Sequence, residues 1–145
     1  MKMKPMVYSG NGISELLYEE TITITDKQLQ ICVVNIRGSH PCGYIRIPDD
    51  VYLAMSSECT KPDAICNYNN WHADVHYGIT YAKFGRPVDN DAIKEGFWIG
   101  WDYAHVNDYT YYIDIDPYPW EKTYTTKEIV DEAIKAISTI RFYPE

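Results

Sequence analysis

The chain has 145 residues, and 13 Lys and Arg residues against 21 Asp and Glu residues give it a formal charge of -8. This length predicts one domain, and a hydrophobic content of 46% excludes wholesale disorder. The acidic balance argues against a nucleic-acid polymer as partner, because binding to the phosphate backbone requires a basic face. No apolar run approaches the roughly 18 residues of a membrane span, so no membrane partner is expected.

The N-terminus and the cysteines predict a cytoplasmic protein. Residues Met1–Val7 carry positive charge with no apolar stretch behind them, which is unlike a secretory signal. The four cysteines lack the two-residue spacing of zinc and redox motifs. We therefore expect reduced thiols that act as small apolar side chains, with a disulfide framework as the less favoured alternative.

A β-hairpin is the first predicted element. The predicted strand Tyr18–Thr25 contains a strict alternation of polar and apolar residues at Thr21–Thr25. Asp26–Gln28 predicts a turn, and Leu29–Arg37 predicts the second strand. Because both faces of this second strand are apolar, it is expected to be central in a sheet. Gly43–Ile47 predicts a short third strand, which Pro48 ends.

The middle of the chain predicts loops and three more strands. Residues 49–70 are irregular, with one helical turn at Val51–Met55. Strands are predicted from Asp74 to about Ala82, over Phe97–Trp101 and over Tyr109–Ile115.

One long helix is predicted at the C-terminus. Thr125 and Glu128 have the spacing of a capping box. An apolar stripe follows with a period of 3.6 residues, formed by Ile129, Val130, Ala133, Ile134, Ile137 and Ile140. The predicted fold is therefore a single α+β domain, in which one C-terminal helix covers an antiparallel-rich sheet.

Three groups of residues can carry chemistry. If Trp71–Tyr77 is extended, the side chains of His72, Asp74 and His76 share one face. Two imidazoles and a carboxylate suit a divalent metal. The favoured interpretation is a solvent-facing strand, and we predict neither a metal nor another cofactor.

A second group follows the apolar strand that ends at Trp101. Asp102, His105 and Asp108 come where the strand passes into a loop, which is a frequent position for functional groups. Asp102 can fix the tautomer of His105 or accept a hydroxyl group of a ligand. Alternatively, Asp102 and His105 satisfy the backbone of the turn that follows.

The third group is aromatic. Aromatic residues make up 14% of the chain, and many of them lie in or beside these segments. The polar tips of Tyr and Trp need partners when buried, whereas their exposed rings suit a planar base or a sugar. Both a stacking site and a tyrosine-rich core fit the following residues: Tyr44, Tyr77, Tyr81, Trp98, Trp101, Tyr103 and Tyr109.

Three motifs in order resemble a family of small proteins that phages and prophages encode. The family's patterns are Gly-Tyr-Val-x-Ile-Pro, Val-His-Gly-Gly-Ile-Thr-Tyr and Trp-x-x-Gly-Phe-Asp-x-Ala-His-x-Gly-Asp. They correspond here to Gly43–Pro48, Val75–Tyr81 and Trp98–Asp108. The family also ends with a C-terminal helix led by a tyrosine, and here the predicted helix begins after Tyr124. Tyr77 and Asn107 replace two glycines of these patterns. Asn can keep a left-handed backbone at the second position, whereas Tyr77 puts a ring where the family leaves space.

The resemblance implies a role against host immunity, in the cytoplasm of an infected bacterium. Some small phage proteins of this kind sequester the nucleotide messengers of defence systems. The leading hypothesis is thus a homo-oligomer that binds an ADP-ribose-derived cyclic species or a cyclic dinucleotide without turnover. The expected ligand contacts are stacking rings, acceptors and donors: Tyr44, Arg46, His76, Tyr77, Thr80, Tyr81, Trp98, Trp101, Asp102, Tyr103, His105 and Asp108.

Two alternatives belong to other classes. In the first, His76, Asp102, His105 and Asp108 act as metal ligands or as an acid and base in a hydrolase of such a nucleotide. In the second, the protein is an acidic inhibitor that binds a host factor. The scattered acidic residues favour this last hypothesis least.

Overall fold

The computed structural model describes residues 1–113 and 115–144. It begins with an antiparallel hairpin of strands β1 (Glu15–Ile24) and β2 (Lys27–Ile36). The turn consists of Thr25 and Asp26, with φ angles of 49° and 64°, as two-residue hairpins require. The predicted hairpin is confirmed, but its turn lies one residue earlier than predicted, and Lys27 already belongs to β2.

Five strands form one antiparallel sheet in the order β1, β2, β3, β6, β5. Strand β3 is His40–Ile47, β5 is Tyr81–Gly85 and β6 is Gly96–Asp102. The short strands β4 (Trp71–His72) and β7 (Arg141–Phe142) pair separately. The predicted α+β class is therefore confirmed.

Strand β2 carries a hydrophobic core on each of its faces. Ile31 and Val33 pack into a cluster with the C-terminal helix, whereas Cys32 and Val34 pack into a second cluster with Trp98. This arrangement confirms the central position predicted from its two apolar faces. All four cysteines are free thiols, and burial raises the pKa of the Cys42 thiol to about 12, which keeps it protonated.

Helix α2 (Thr126–Ala136) crosses β1, β2 and β3. Its predicted capping box is present, since the Thr125 side chain accepts from the Glu128 N–H and the Glu128 side chain accepts from the Thr125 N–H. The predicted stripe is wrong at Ile134, whose side chain is 44% exposed. At about 100° per residue, Ile134 lies well around the helix from Ile129. The 3₁₀ helix Ile137–Thr139 then follows.

The middle of the chain departs most from the prediction. The strand predicted from Asp74 to Ala82 is wrong, because Tyr77 and Gly78 have φ angles of 57° and 78° and interrupt extended backbone. The predicted helical turn is the longer helix α1 (Asp49–Ser57), and short 3₁₀ helices follow at Ala64–Cys66 and Tyr68–Asn70.

The strand predicted at Tyr109–Ile115 is not formed by its described residues, and Asp114 lies outside them. A single parallel bridge between Asp108 and Lys122 occurs instead at the start of this segment. In the described part of the chain, no helix has the length and apolar character to cross a bilayer.

Two glycines make room for aromatic rings across β3 and β6. Gly43 lies opposite Trp101, and a Cβ atom on Gly43 would lie 2.4 Å from Cζ2 of that indole. Gly100 lies opposite Tyr44, and a Cβ atom there would lie 2.4 Å from Cδ1 of the ring. Each ring therefore covers the backbone of the neighbouring strand and is buried by it.

We expect Glu128→Gln to reduce stability near pH 7 but not in acid. The hydrogen bond from Lys122 is the main cause that holds the pKa of Glu128 below its usual value of 4.5. Because the pKa is lowered on folding, the ionised carboxylate stabilises the fold above the unfolded pKa, and this contribution is lost as pH falls through the folded pKa.

Thermal unfolding of both proteins at pH 7 and at about pH 3 measures this effect. Glutamine keeps the acceptor of the capping box. The free energies of unfolding of Glu128→Gln and the unmodified chain should therefore differ by less than about 1 kcal/mol at pH 7, as for exposed ion pairs. A difference of the same size at both values of pH would contradict the prediction.

Candidate functional site

Two loops meet beside the end of β6. One loop, 73–80, reverses at Tyr77 and Gly78, and the other connects Asp102 to Asp108. Asn107 in the second loop has a φ of 71°, which is the left-handed conformation expected for an asparagine in place of glycine. These turns bring His76 to Asp108 across 32 positions of sequence.

The Asp108 carboxylate lies at the centre of this site. Its side chain is 3% exposed, and Oδ2 lies 2.7 Å from Nε2 of His76. The same oxygen accepts the backbone N–H of His105 at 3.1 Å. Burial and the neighbouring Asp108 raise the pKa of the Tyr124 hydroxyl to about 12, so Tyr124 is a neutral donor beside the carboxylate.

His105 faces two carboxylates. Its Nδ1 lies 3.4 Å from Oδ1 of Asp102 and 3.7 Å from Oδ2 of Asp108. This nitrogen is inaccessible to water, and no hydrogen-bond partner for it occurs within residues 1–113 and 115–144. Asp102 also supports the loops, because it accepts the Ala104 N–H and the Thr80 hydroxyl. The backbone role predicted as the alternative for Asp102 is thus present.

Each imidazole lies flat against a tyrosine. The His76 ring stacks on Tyr103, with centroids 4.9 Å apart and planes 10° from parallel. The His105 ring stacks on Tyr77, with centroids 4.2 Å apart and planes 3° from parallel. Tyr77 is 60% exposed, so the stack of Tyr77 and His105 reaches the surface.

A buried chain of hydrogen bonds supports these rings from below. Nε1 of Trp101 donates to the Tyr103 hydroxyl at 2.9 Å, and that hydroxyl donates to Glu132 of α2. The same Glu132 oxygen accepts the backbone N–H of His76 at 3.3 Å. Burial, assisted by Glu132, raises the pKa of Tyr103 and keeps its hydroxyl protonated. The sequence analysis did not identify Glu132 or Tyr124, because nothing in the pattern of α2 indicates which polar side chain meets the loops.

The predicted ligand contacts separate into two groups. One group lies in or directly beneath the two loops and comprises His76, Tyr77, Thr80, Trp101, Asp102, Tyr103, His105 and Asp108. The other group belongs to the opposite core or its border and comprises Tyr44, Arg46, Tyr81 and Trp98.

Several of these residues are closed to a ligand in this conformation. The indoles of Trp98 and Trp101 are 0% and 1% exposed, so neither can stack on a base. Nε1 of Trp98 donates to the Lys94 carbonyl, and the buried Arg46 guanidinium is paired with Asp49 and the Glu95 carbonyl. Trp98 and Trp101 therefore belong to the aromatic core that was predicted as the alternative to a stacking site.

His72 and Asp74 do not join His76 on a common face, because the backbone turns instead of continuing as a strand. The His72 ring packs near Tyr143, and the Asp74 N–H donates to Thr139. Among the described residues, the grouping of three donor atoms suited to a metal is His76, His105 and Asp108, all within 4.8 Å of one another.

A comparison of this chain with models of known protein families, with curated proteins and with solved structures found no match. The resemblance to the phage family therefore stays a prediction.

Proposed function

We propose that the protein binds a small signalling nucleotide without turnover, in the manner of a phage anti-defence protein acting in the bacterial cytoplasm. The ligand would be an ADP-ribose-derived cyclic species or a cyclic dinucleotide. The observation that carries the proposal is the exposed stack of Tyr77 on His105. An aromatic ring held parallel to a second ring is a rigid platform for a nucleobase.

The groups around this platform have the polarity that a nucleoside needs. Asp102 has a partly exposed carboxylate, which can accept a ribose hydroxyl or an exocyclic amine. The Thr80 hydroxyl lies 3.2 Å from that carboxylate and can contact the same ligand. His76 and His105 supply ring N–H groups that can donate to phosphate or sugar oxygens.

A second copy of the chain would complete the site in this proposal. A protein that sequesters a messenger needs nanomolar affinity, which is about -12 kcal/mol. An open platform buries too little of a ligand for this. Val106 is 77% exposed and its carbonyl lies 3.5 Å from the Tyr77 hydroxyl, so an apolar margin adjoins the platform and can meet a second subunit. Light scattering should therefore give the mass of a dimer or a larger oligomer.

Thermal unfolding with a panel of cyclic nucleotides and ADP-ribose derivatives tests the binding. A ligand at a hundred times its Kd adds about 2.7 kcal/mol, or roughly 5–10 °C in Tm for a domain of this size. Tyr77→Asn should abolish the shift, since asparagine tolerates the positive φ but offers no ring. Tyr68→Ala removes another exposed tyrosine and should leave the shift intact.

Release of the bound ligand then separates binding from catalysis. Heating the complex should return the nucleotide intact, and flat unfolding curves across the panel would refute the proposal. Recovery of a cleaved product would support the second candidate, a hydrolase of the same nucleotide. The hydrogen bond between His76 and Asp108 favours that candidate, because a carboxylate commonly orients an imidazole that acts as general base.

A further inference from the structure

Three donor atoms from separate parts of the chain converge in the candidate site. His76 and His105 each offer one ring nitrogen and Asp108 offers one carboxylate oxygen, and these three atoms all lie within 4.8 Å of one another. Two imidazoles and a carboxylate form a common ligand set for Zn²⁺ in sites that keep a fourth position open. We propose that His76, His105 and Asp108 bind one divalent transition-metal ion, such as Zn²⁺, with a coordination position left for a ligand oxygen.

The separations between these atoms are close to those of a coordinated ion. With metal–ligand bonds of about 2.0–2.2 Å, the donors of a tetrahedral site lie roughly 3.3 Å apart. Oδ2 of Asp108 is 2.7 Å from Nε2 of His76 and 3.7 Å from Nδ1 of His105. These two distances lie on either side of the separation expected in a tetrahedral site.

An unsatisfied nitrogen distinguishes this cluster from a set of ordinary hydrogen bonds. Nδ1 of His105 is buried and has no hydrogen-bond partner in the described chain, although it points between two carboxylates. A buried polar atom without a partner carries a desolvation cost, which a bound ion would remove. Coordination would also use the carboxylate oxygen that both histidines face.

The surroundings of the cluster are those of a supported metal site. Each imidazole is held flat by a tyrosine, Tyr103 for His76 and Tyr77 for His105. The Asp108 oxygen is fixed by the His105 N–H, and Glu132 holds the backbone of His76. Such partners orient ligands and raise the affinity of metal sites. The inference does not need the proposed function, although an open coordination position would suit a phosphate oxygen.

Titration of the chelator-treated protein with Co²⁺ and Zn²⁺ tests the site. Co²⁺ in a tetrahedral site absorbs visible light, and Zn²⁺ should displace it at a ratio of one ion per chain. His105→Ala should weaken binding by at least about 100-fold, because even the partners of ligands account for about 10- to 100-fold.

His72→Ala is the matched control. His72 is an exposed histidine outside the cluster, and it belongs to the ligand set that an extended strand would have formed with Asp74 and His76. The His72→Ala variant should bind Co²⁺ and Zn²⁺ with the affinity of the unmodified chain. Equal losses in both variants, or a loss in His72→Ala alone, would overturn it.

Nuclear magnetic resonance of the unmodified chain covers the case in which His105→Ala fails to fold. Addition of Zn²⁺ should shift the ring nitrogens of His76 and His105 while those of His72 stay in place. No saturable Co²⁺ spectrum, or shifts at His72 instead of His105, would refute the site. Repeating the thermal unfolding with nucleotides in the presence of chelator measures nucleotide binding separately, so a failure of the metal site would leave the proposed function standing.

Discussion

Trp101→Ala should destabilise the fold by about 3–5 kcal/mol. The indole is 1% exposed, and it lies over Gly43 of the neighbouring strand. Removal of its ring leaves a cavity beneath the loops and takes away the donor to the Tyr103 hydroxyl. Urea unfolding of Trp101→Ala and of the unmodified chain measures the loss in free energy of unfolding, and equal m values in the two proteins show that the change is one of stability.

Gly43→Ala tests whether the Trp101 indole lies against Gly43. In the unmodified chain the new methyl group meets the indole at 2.4 Å, so overpacking should cost about 1–3 kcal/mol. In the Trp101→Ala background the same methyl group enters the cavity and should be neutral or stabilising, because alanine also restricts the unfolded chain. A double-mutant cycle therefore predicts a large coupling of the two sites. Additive effects would show that the indole does not lie on Gly43.

Most of the sheet follows from local patterns. The two apolar faces of β2 and the capping box of α2 are short-range signals, and both correspond to the observed elements. The error at 74–82 also arises from a local pattern, which is misleading there. The alternation of polar and apolar residues there mimics a strand, but the backbone of Tyr77 and Gly78 is left-handed, and His76 beside this turn bonds to Asp108 of a distant loop.

The site was predicted in composition but not in arrangement. His76, His105 and Asp108 were all among the expected ligand contacts, whereas their convergence depends on where two loops meet in space. For the aromatic residues, the sequence did not show which rings would be buried and which exposed. Trp98 and Tyr77 were both expected to contact a ligand, yet β6 buries the first and a turn exposes the second. Periodicity cannot separate these outcomes, because both depend on the partner strand and the partner loop.

Asp108→Asn should cost about 3 kcal/mol, the upper end of what a buried donor costs when it loses its hydrogen-bond partner. The carboxylate is 3% exposed and faces His76, His105 and Tyr124 with acceptors only. An amide of the same shape presents one acceptor and an NH₂ group, so at least one of these donors loses its partner. Asp74→Asn is the matched control, because it changes an exposed aspartate of the adjacent loop and should alter stability by less than about 0.5 kcal/mol.

The two consequences of Asp108→Asn separate its structural and ligand roles. If the carboxylate holds the loops together, backbone amide exchange should accelerate in 73–80 and 102–108, while the amides of β2 and β3 remain protected. If it is also a metal ligand, the variant should lose the Co²⁺ spectrum at temperatures where circular dichroism shows it folded. Loss of stability with an unchanged spectrum would confine Asp108 to a structural role, since a neutral amide is a poor substitute for a carboxylate at a divalent ion.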